Sequence, residues 1–260
     1  MSKFEEAAHE TADILRSVIG KNKDKIFTSA IIAAGGSSVR LGGTTTKQLL
    51  NVCGLPVVVH TLLAFQNCSR ITEIVVAAKA DEVNIYKSFI EQYNLTKISA
   101  VVEGGATRQA SVLNAFNKIS DKAKYVAIHD AARCLITEED ILKVLDDAIK
   151  YGAATASVSA FDTVKIANKR GFIKETVDRN AVRMAQTPQI FSRNLYCAAA
   201  YTAKEDSFEA TDDNMLCERI GYSVKLTETS RENIKITTKE DVLTAEKILT
   251  ERAKKVKENV

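Results

Sequence analysis

The sequence predicts a single α/β domain built on a mostly parallel sheet, with a β-hairpin arm and a helical N-terminal extension. Three observations carry this. Short apolar runs, IIAA (31–34), EIVVAA (73–78), ISAVV (98–102) and YVAIHD (125–130), alternate with helical patterns, as successive βαβ units do. TVKIA (163–167), NKRG and FIKETVD (172–178) interrupt that alternation and read as two strands joined by a short turn. Finally, 260 residues with 45% hydrophobic content can fill one full-sized core. The expected division is an extension and linker over 1–25 and one domain over 26–260, its arm at about 160–186.

Each element has a local reason. In FEEAAHETADILRSVI (4–19), Ala8, Ala12, Leu15 and Ile19 recur at helical spacing, Gly20 stands in the C-cap position, and the polar run KNKDK reads as a linker. Pro56 fits the first helical position before VVVHTLLAF, and Thr137 with Asp140 resembles a capping box opening TEEDILKVLDDAIKY. ENIKITT (232–238) reads as a short strand with Ile234 and Ile236 on one face and Lys235 on the other. TKEDVLTAEKILTERAKKVK (238–257) closes the chain as a helix, acids early and lysines late, as the macrodipole favours. A hairpin protruding from such a core must cover its apolar edge, and a second subunit is one way to do so.

Composition narrows the function. Lysine and arginine number 36 against 33 acids, a formal charge of +3, which gives no broad field for coating nucleic acid or membrane. Five widely spaced cysteines without a CxxC indicate neither a disulfide framework nor a zinc site. No stretch approaches the ~20 apolar residues that span a bilayer, and no signal segment is recognised, so a soluble cytoplasmic protein is expected. His9, His60 and His129 are too few and too scattered for a histidine metal site.

The chemistry concentrates in a few loops. TSAIIAAGGSSVRLGGTTTKQ (28–48) follows the first strand, where open parallel sheets bind phosphate. Gly35, Gly36, Gly42 and Gly43 let backbone N–H groups approach an anion, and Arg40 and Lys47 add charge-assisted bonds. Neither GxxxxGK[ST] nor GxGxxG is present, which disfavours a P-loop ATPase and a dinucleotide dehydrogenase; glycine richness alone also fits a mobile surface loop. Asp130, in HDAAR (129–133), ends a strand at the same crevice, where one carboxylate beside bound phosphates suits magnesium; pairing with Arg133 or capping the next element is the alternative. His129 has no catalytic partner at a motif spacing. GGATRQAS (104–111) offers amides from Gly104 and Gly105 and hydroxyls from Thr107 and Ser111 that can read a base edge. VDRNAVRMAQTPQ (177–189) brings Arg179 and Arg183 near Thr187 and Pro188. Taken singly, such arginines and lysines fit solvated surface equally well.

Taken together, AAGGSSVRLG, KQ, GGATRQAS, HDAAR, VDRNAVRMAQTPQIF, EATDDNMLCERIG and NIKITTKEDV resemble, in order from about residue 28 to about 250, the motif series of the 2-C-methyl-D-erythritol 4-phosphate cytidylyltransferases. The resemblance implies a Rossmann-like nucleotidyltransferase domain with helices on both faces of a twisted sheet, CTP and magnesium as ligands, and a homodimer with embracing arms. It places Ala33, Ala34, Gly35 and Gly36 by the nucleotide, and Arg40 and Lys47 on the triphosphate. Gly105, Ala106 and Ser111 would contact cytosine or ribose. Asp130 would serve magnesium and the substrate, supported by Arg133, and Lys235 would face the reacting phosphates. Thr163, Arg179 and Thr187 would grip methylerythritol phosphate, with residues of a partner's arm taking part.

Two positions depart from the family pattern, Thr46 and Cys134 standing where proline is usual, which predicts a looser loop before CTP arrives. Ribitol-5-phosphate cytidylyltransferase shares the nucleotide half of the pattern, but TVDRN and EATDDNMLCE look more like the methylerythritol enzyme. A non-catalytic nucleotide-binding paralogue is the other alternative, against which the joint presence of Arg40, Lys47, Asp130, Arg179 and Lys235 speaks.

Overall fold

Alternating apolar residues of the central strands face two helical layers, and that alternation builds the molecule. The computed structural model describes residues 26–36 and 46–258. The expected N-terminal helix, Arg40 and the looseness of its loop lie outside them. The strands are β1 (Thr28–Ala33), β2 (Asn51–Val52), β3 (Leu55–Pro56), β4 (Glu73–Ala78), β5 (Ile98–Glu103), β6 (Tyr125–Asp130), β7 (Ala153–Ser159), β8 (Lys165–Ala167), β9 (Ile173–Thr176), β10 (Arg183–Ser192) and β11 (Lys225–Glu228). The helices are α1 (Val57–Asn67), α2 (Val83–Gln92), α3 (Arg108–Phe116), α4 (Glu138–Tyr151), α5 (Arg193–Glu205), α6 (Asp213–Arg219) and α7 (Lys239–Glu258).

Seven strands form one sheet in the order β11-β7-β10-β6-β1-β4-β5. Only β10 runs antiparallel to its neighbours, β6 and β7. On β1, Ala30 and Ile32 pack under α1, α2 and α4, whereas Ile31 packs under α3, α5 and α6. A strand buried on both faces is why IIAA is an unbroken apolar run. A third cluster seats α7 through Ala245 on Val52, Cys134, Leu135 and Ile236.

The caps are local. The Thr137 hydroxyl accepts the Asp140 N–H at the start of α4, and Glu138, Glu139 and Asp140 supply acids to its first turn. Asp140 does not complete the reciprocal capping bond; its carboxylate accepts the Ser230 N–H at 3.1 Å and ties α4 to the chain beyond β11. The helix stops at Gly152, whose φ of 84° only glycine adopts without strain. Pro56 stands one place earlier than its sequence reading, as the last residue of β3 and the N-cap of α1.

Two further readings need correction. Residues 232–238 form no strand: Ile236 N donates a single backbone bond to the Ala132 carbonyl, and the segment is held by side chains instead. The expected alternation nevertheless holds, with Ile236 fully buried and Lys235 turned to the opposite side. The arm is shorter than 160–186, because Arg183–Ser192 is a strand of the main sheet. What remains is β8 paired with β9 as a separate two-stranded sheet, exposed throughout.

Thr137→Ala is expected to lower stability by about 1 kcal/mol, read as a shift of the urea midpoint at constant m-value. An unshifted midpoint would mean that the hydroxyl does no capping.

Candidate active site

Parallel pairing delivers the strand ends to one edge. β1 and β6 are in register with Ala33 opposite Asp130, and β4 and β5 end with Ala78 opposite Glu103. The turns leaving β1, β5 and β6 therefore meet in one cleft of about 320 Å³. Its walls are Ala33, Gly35 and Gly36 after β1, Lys47 and Gln48 beyond the loop, and Gly105, Ala106, Thr107, Arg108 and Ser111 at the start of α3. Asp130, Ala132 and Lys235 complete it. Most of the nucleotide-side residues singled out from the sequence thus converge.

The turn after β5 is built by its own side chains. Thr107 caps α3 by accepting the Ala110 N–H at 3.1 Å. The Ser111 hydroxyl accepts the Gly105 N–H at 3.0 Å and donates to the Thr107 carbonyl at 2.8 Å, so it shapes the turn from within. A Cβ on Gly105 would lie 2.5 Å from that of Ala110, which explains glycine there. Across the cleft, the Gln48 amide donates to the carbonyls of Ala34 (3.0 Å) and Gly36 (3.2 Å) and ties the glycine turn after β1 to the short 3-10 turn that carries Lys47. Ala34 itself is fully buried. Thr46 has φ −68°, a value that proline would also impose, so threonine here keeps a backbone that proline could adopt.

Asp130 is the electrostatic centre. It is 7% exposed, and its oxygens divide between two cations: Arg108 Nε donates to Oδ1 at 3.0 Å and Lys235 Nζ to Oδ2 at 2.6 Å. Burial alone would raise the carboxyl pKa; Arg108 and Lys235 outweigh it and hold the group well below the usual carboxylate range. Arg108 extends the chain of charges, donating NH1 to Asp213 Oδ2 at 2.6 Å. Burial disfavours the guanidinium, but Asp213 and Asp130 more than compensate, so it stays charged. Arg133, expected beside Asp130, lies near enough for its charge to help lower the carboxyl, but its hydrogen bond goes to the Asn233 carbonyl at 2.8 Å and so holds the segment that carries Lys235.

Thr187 is buried behind Asp130 rather than in the cleft wall. Its hydroxyl oxygen accepts the Asp130 N–H at 3.1 Å and lies 3.1 Å from His129 Nδ1. Nε2 of His129 donates to the Arg133 carbonyl at 3.2 Å, which leaves Nδ1 as the acceptor of the Thr187 hydroxyl. Thr163 and Arg179 lie together, with Phe161 and Asp162, in a second and shallower depression at the arm, and Arg179 donates to the Phe161 carbonyl at 3.3 Å. Arg108, Gln48 and Asp213 were not picked out from the sequence. Their partners lie up to 105 residues away, and no spacing rule reaches that far.

Among the described residues no group of three or more histidines, cysteines or acids forms a metal cage. The donor set fits a different kind of metal binding: one carboxylate in a cleft also lined by Lys47 and the glycine turns, with lone pairs beyond those engaged by Arg108 and Lys235, suits a cation held mostly by phosphate oxygens and water.

These features define an α/β nucleotide-binding protein whose cleft gathers cations around one buried carboxylate. The family model for 2-C-methyl-D-erythritol 4-phosphate cytidylyltransferase matches residues 28–251. A curated relative of that name from Syntrophus aciditrophicus is 41% identical over 221 residues, spanning 85% of this chain and 94% of its own length. Another, from Pelotomaculum thermopropionicum, is 39% identical over 230 residues, 88% of this chain and 96% of its own. The crystal structure of 4-diphosphocytidyl-2C-methyl-D-erythritol synthase from Anaerococcus prevotii matches with a TM-score of 0.77 at 31% identity, covering 86% of this chain and 99% of that one. For the cytidylyltransferase of Thermus thermophilus the values are 0.71, 30%, 85% and 98%. The chain belongs to the 2-C-methyl-D-erythritol 4-phosphate cytidylyltransferase family.

Burial pushes the His129 imidazole down from 6.5 to about 3, against the opposing effect of its bond to Arg133. Unfolded, the ring takes up a proton below about pH 6.5; folded, it remains neutral to far lower pH. Its contribution to stability is therefore complete above about pH 6.5 and is lost as pH falls towards 3, by up to ~1.4 kcal/mol per pH unit. Urea midpoints between pH 7 and 4.5 should fall more steeply for the native protein than for His129→Gln, and equal slopes would contradict a buried neutral ring.

Proposed function

We propose that this chain transfers a cytidylyl group from CTP to 2-C-methyl-D-erythritol 4-phosphate, giving 4-diphosphocytidyl-2-C-methyl-D-erythritol and pyrophosphate. The observation that carries the reading is the cleft itself: within a chain matched to the family over residues 28–251, it collects Lys47, Lys235, Asp130 and the glycine turns. A phosphate monoester oxygen of the acceptor attacks the α-phosphorus of CTP as the bond to pyrophosphate breaks. Little proton transfer is needed, so the protein's work is to orient two anions and stabilise charge as the leaving group departs.

Lys47, with Arg40, would bind the triphosphate, and Lys235 would face the reacting phosphates. The amides of Gly35 and Gly36 would approach the nucleotide closely, while Gly105, Ala106 and the turn that Ser111 shapes would receive the cytosine and ribose. Asp130 would hold magnesium, which when bound would lower the negative charge of the triphosphate. Thr163 and Arg179 would grip the acceptor from the arm of a second subunit, with Thr187 fixing the Asp130 backbone behind the site. Exposed apolar residues support that homodimer, for Phe161, Phe172 and Ile173 are 72%, 68% and 65% exposed on the arm. No helix among the described residues is long and apolar enough to cross a membrane, in keeping with work in the cytoplasm.

Purified protein with CTP and magnesium is expected to release pyrophosphate with methylerythritol 4-phosphate and not with ribitol 5-phosphate. Release only with ribitol phosphate would move the assignment to that acceptor. Lys47→Ala and Lys235→Ala should each reduce turnover by ~10²–10³, and near-normal turnover in either would remove that lysine from the mechanism. Sedimentation should give twice the monomer mass; Phe172→Asp with Ile173→Asp should return the protein to monomer.

A further inference from the structure

The EATDDNMLCERIG stretch has no role in the reaction as described so far, yet it reaches the cleft through one contact. Asp213, the first residue of α6, is 1% exposed. Its Oδ2 accepts Arg108 NH1 at 2.6 Å, its Oδ1 accepts the Tyr196 hydroxyl at 3.1 Å, and its N–H donates to Gln189 Oε1 at 2.9 Å. Tyr196 is fully buried, with Phe116 and Phe191 at ring-centroid distances of 5.0 and 5.6 Å. The carboxylate is thus anchored to the core on one side and presents its other oxygen to Arg108, which lines the cleft.

We infer that Asp213 is a positioning residue, holding Arg108 so that its Nε edge meets Asp130 and fixes the orientation of that carboxylate. The inference rests on reading the cleft as the site of cytidylyl transfer. A guanidinium offers donors along separate edges of one plane, and here two edges are taken by two carboxylates, at 3.0 and 2.6 Å. Without Asp213, the guanidinium would be free to turn, giving up its Nε bond to Asp130 for bonds from its terminal nitrogens in competition with Lys235. Stability alone gives weak grounds for such an arrangement, since well-packed apolar groups replace buried ion pairs at little cost. What the pair supplies is a fixed direction.

The test uses the full-length protein with CTP, magnesium and methylerythritol 4-phosphate. Asp213→Asn should lower kcat per folded molecule by ~10-fold while KM for CTP stays near the native value, and its thermal midpoint should fall because one partner of a buried pair is neutralised; Tyr196→Phe, which leaves both charges in place, should lower kcat in the same direction by a smaller factor with a near-native midpoint. A second readout needs no turnover: in ¹⁵N spectra the Arg108 Nε–H, protected by its bond to Asp130, should exchange with water at least ~10-fold faster in Asp213→Asn while the β6 backbone amides keep their protection. Native kcat in both variants, or unchanged Nε–H exchange, would overturn the inference. So would a fall in kcat that simply follows loss of folded protein. A native enzyme that releases no pyrophosphate would refute the proposed reaction and leave the exchange experiment to judge Asp213.

Discussion

The rest of the site is arranged around one buried negative charge. Asp130 ends β6 in the middle of the sheet, where water is scarce and an unpaired carboxylate would be costly, so its surroundings must supply cations. They come from opposite directions in the chain, Arg108 from the turn after β5 and Lys235 from the segment before α7. The backbone beneath is fixed by Thr187 on antiparallel β10, so the one strand that runs against the others sets the height of the carboxylate at the sheet edge. Arg133 then secures the Asn233 carbonyl, two residues from Lys235, and closes the ring of constraints.

The glycine turn after β1 is organised on the same principle, with a buried side chain holding it in place. Gln48 is 2% exposed, and both of its donated bonds reach the first turn after β1. It thereby fixes Lys47, its neighbour in a short 3-10 turn, relative to Gly35 and Gly36 without relying on the residues between. Thr46 adds a proline-like φ. The stem of Lys47 is thereby directed into the cleft that it lines.

How much of this was legible in the sequence follows from the range of each interaction. The runs at 73–78 and 125–130 match β4 and β6 residue for residue, because a buried parallel strand needs a continuous apolar run and stops where it ends. Thr137 and the acids after it marked α4 because capping acts within four residues. β10 was hidden: RMAQTPQIFS mixes polar residues and a proline, and its place between β6 and β7 depends on pairings that no local pattern encodes. The site divides in the same way. The glycine turns, Lys47, Asp130 and Lys235 stood in motifs with a readable role, whereas Arg108 and Asp213 stood in the quoted stretches GGATRQAS and EATDDNMLCERIG without one, since a single arginine or aspartate among polar residues carries no mark of burial or of its distant partner. Conversely, Thr187 stood in a motif, yet its hydroxyl turned out to brace the backbone behind the cleft.

The arm follows from what the rest of the fold already satisfies. A two-stranded hairpin is at best marginal in water, since it has no second layer on which to bury its apolar side chains. Here β8 and β9 keep their ladder while Ile166, Phe172 and Ile173 remain exposed, and Phe161 at the arm's base, with the Arg231 guanidinium over its ring, is exposed too. In the same region Thr163 and Arg179 line a depression separate from the cleft of their own chain. The homodimer proposed above answers both needs at once: a second copy would bury the apolar face and would carry the arm's polar residues towards a cleft that already has its nucleotide side assembled. Association and completion of the acceptor site would then be a single event, and a hairpin left bare on one chain would be covered by the same step that completes the site.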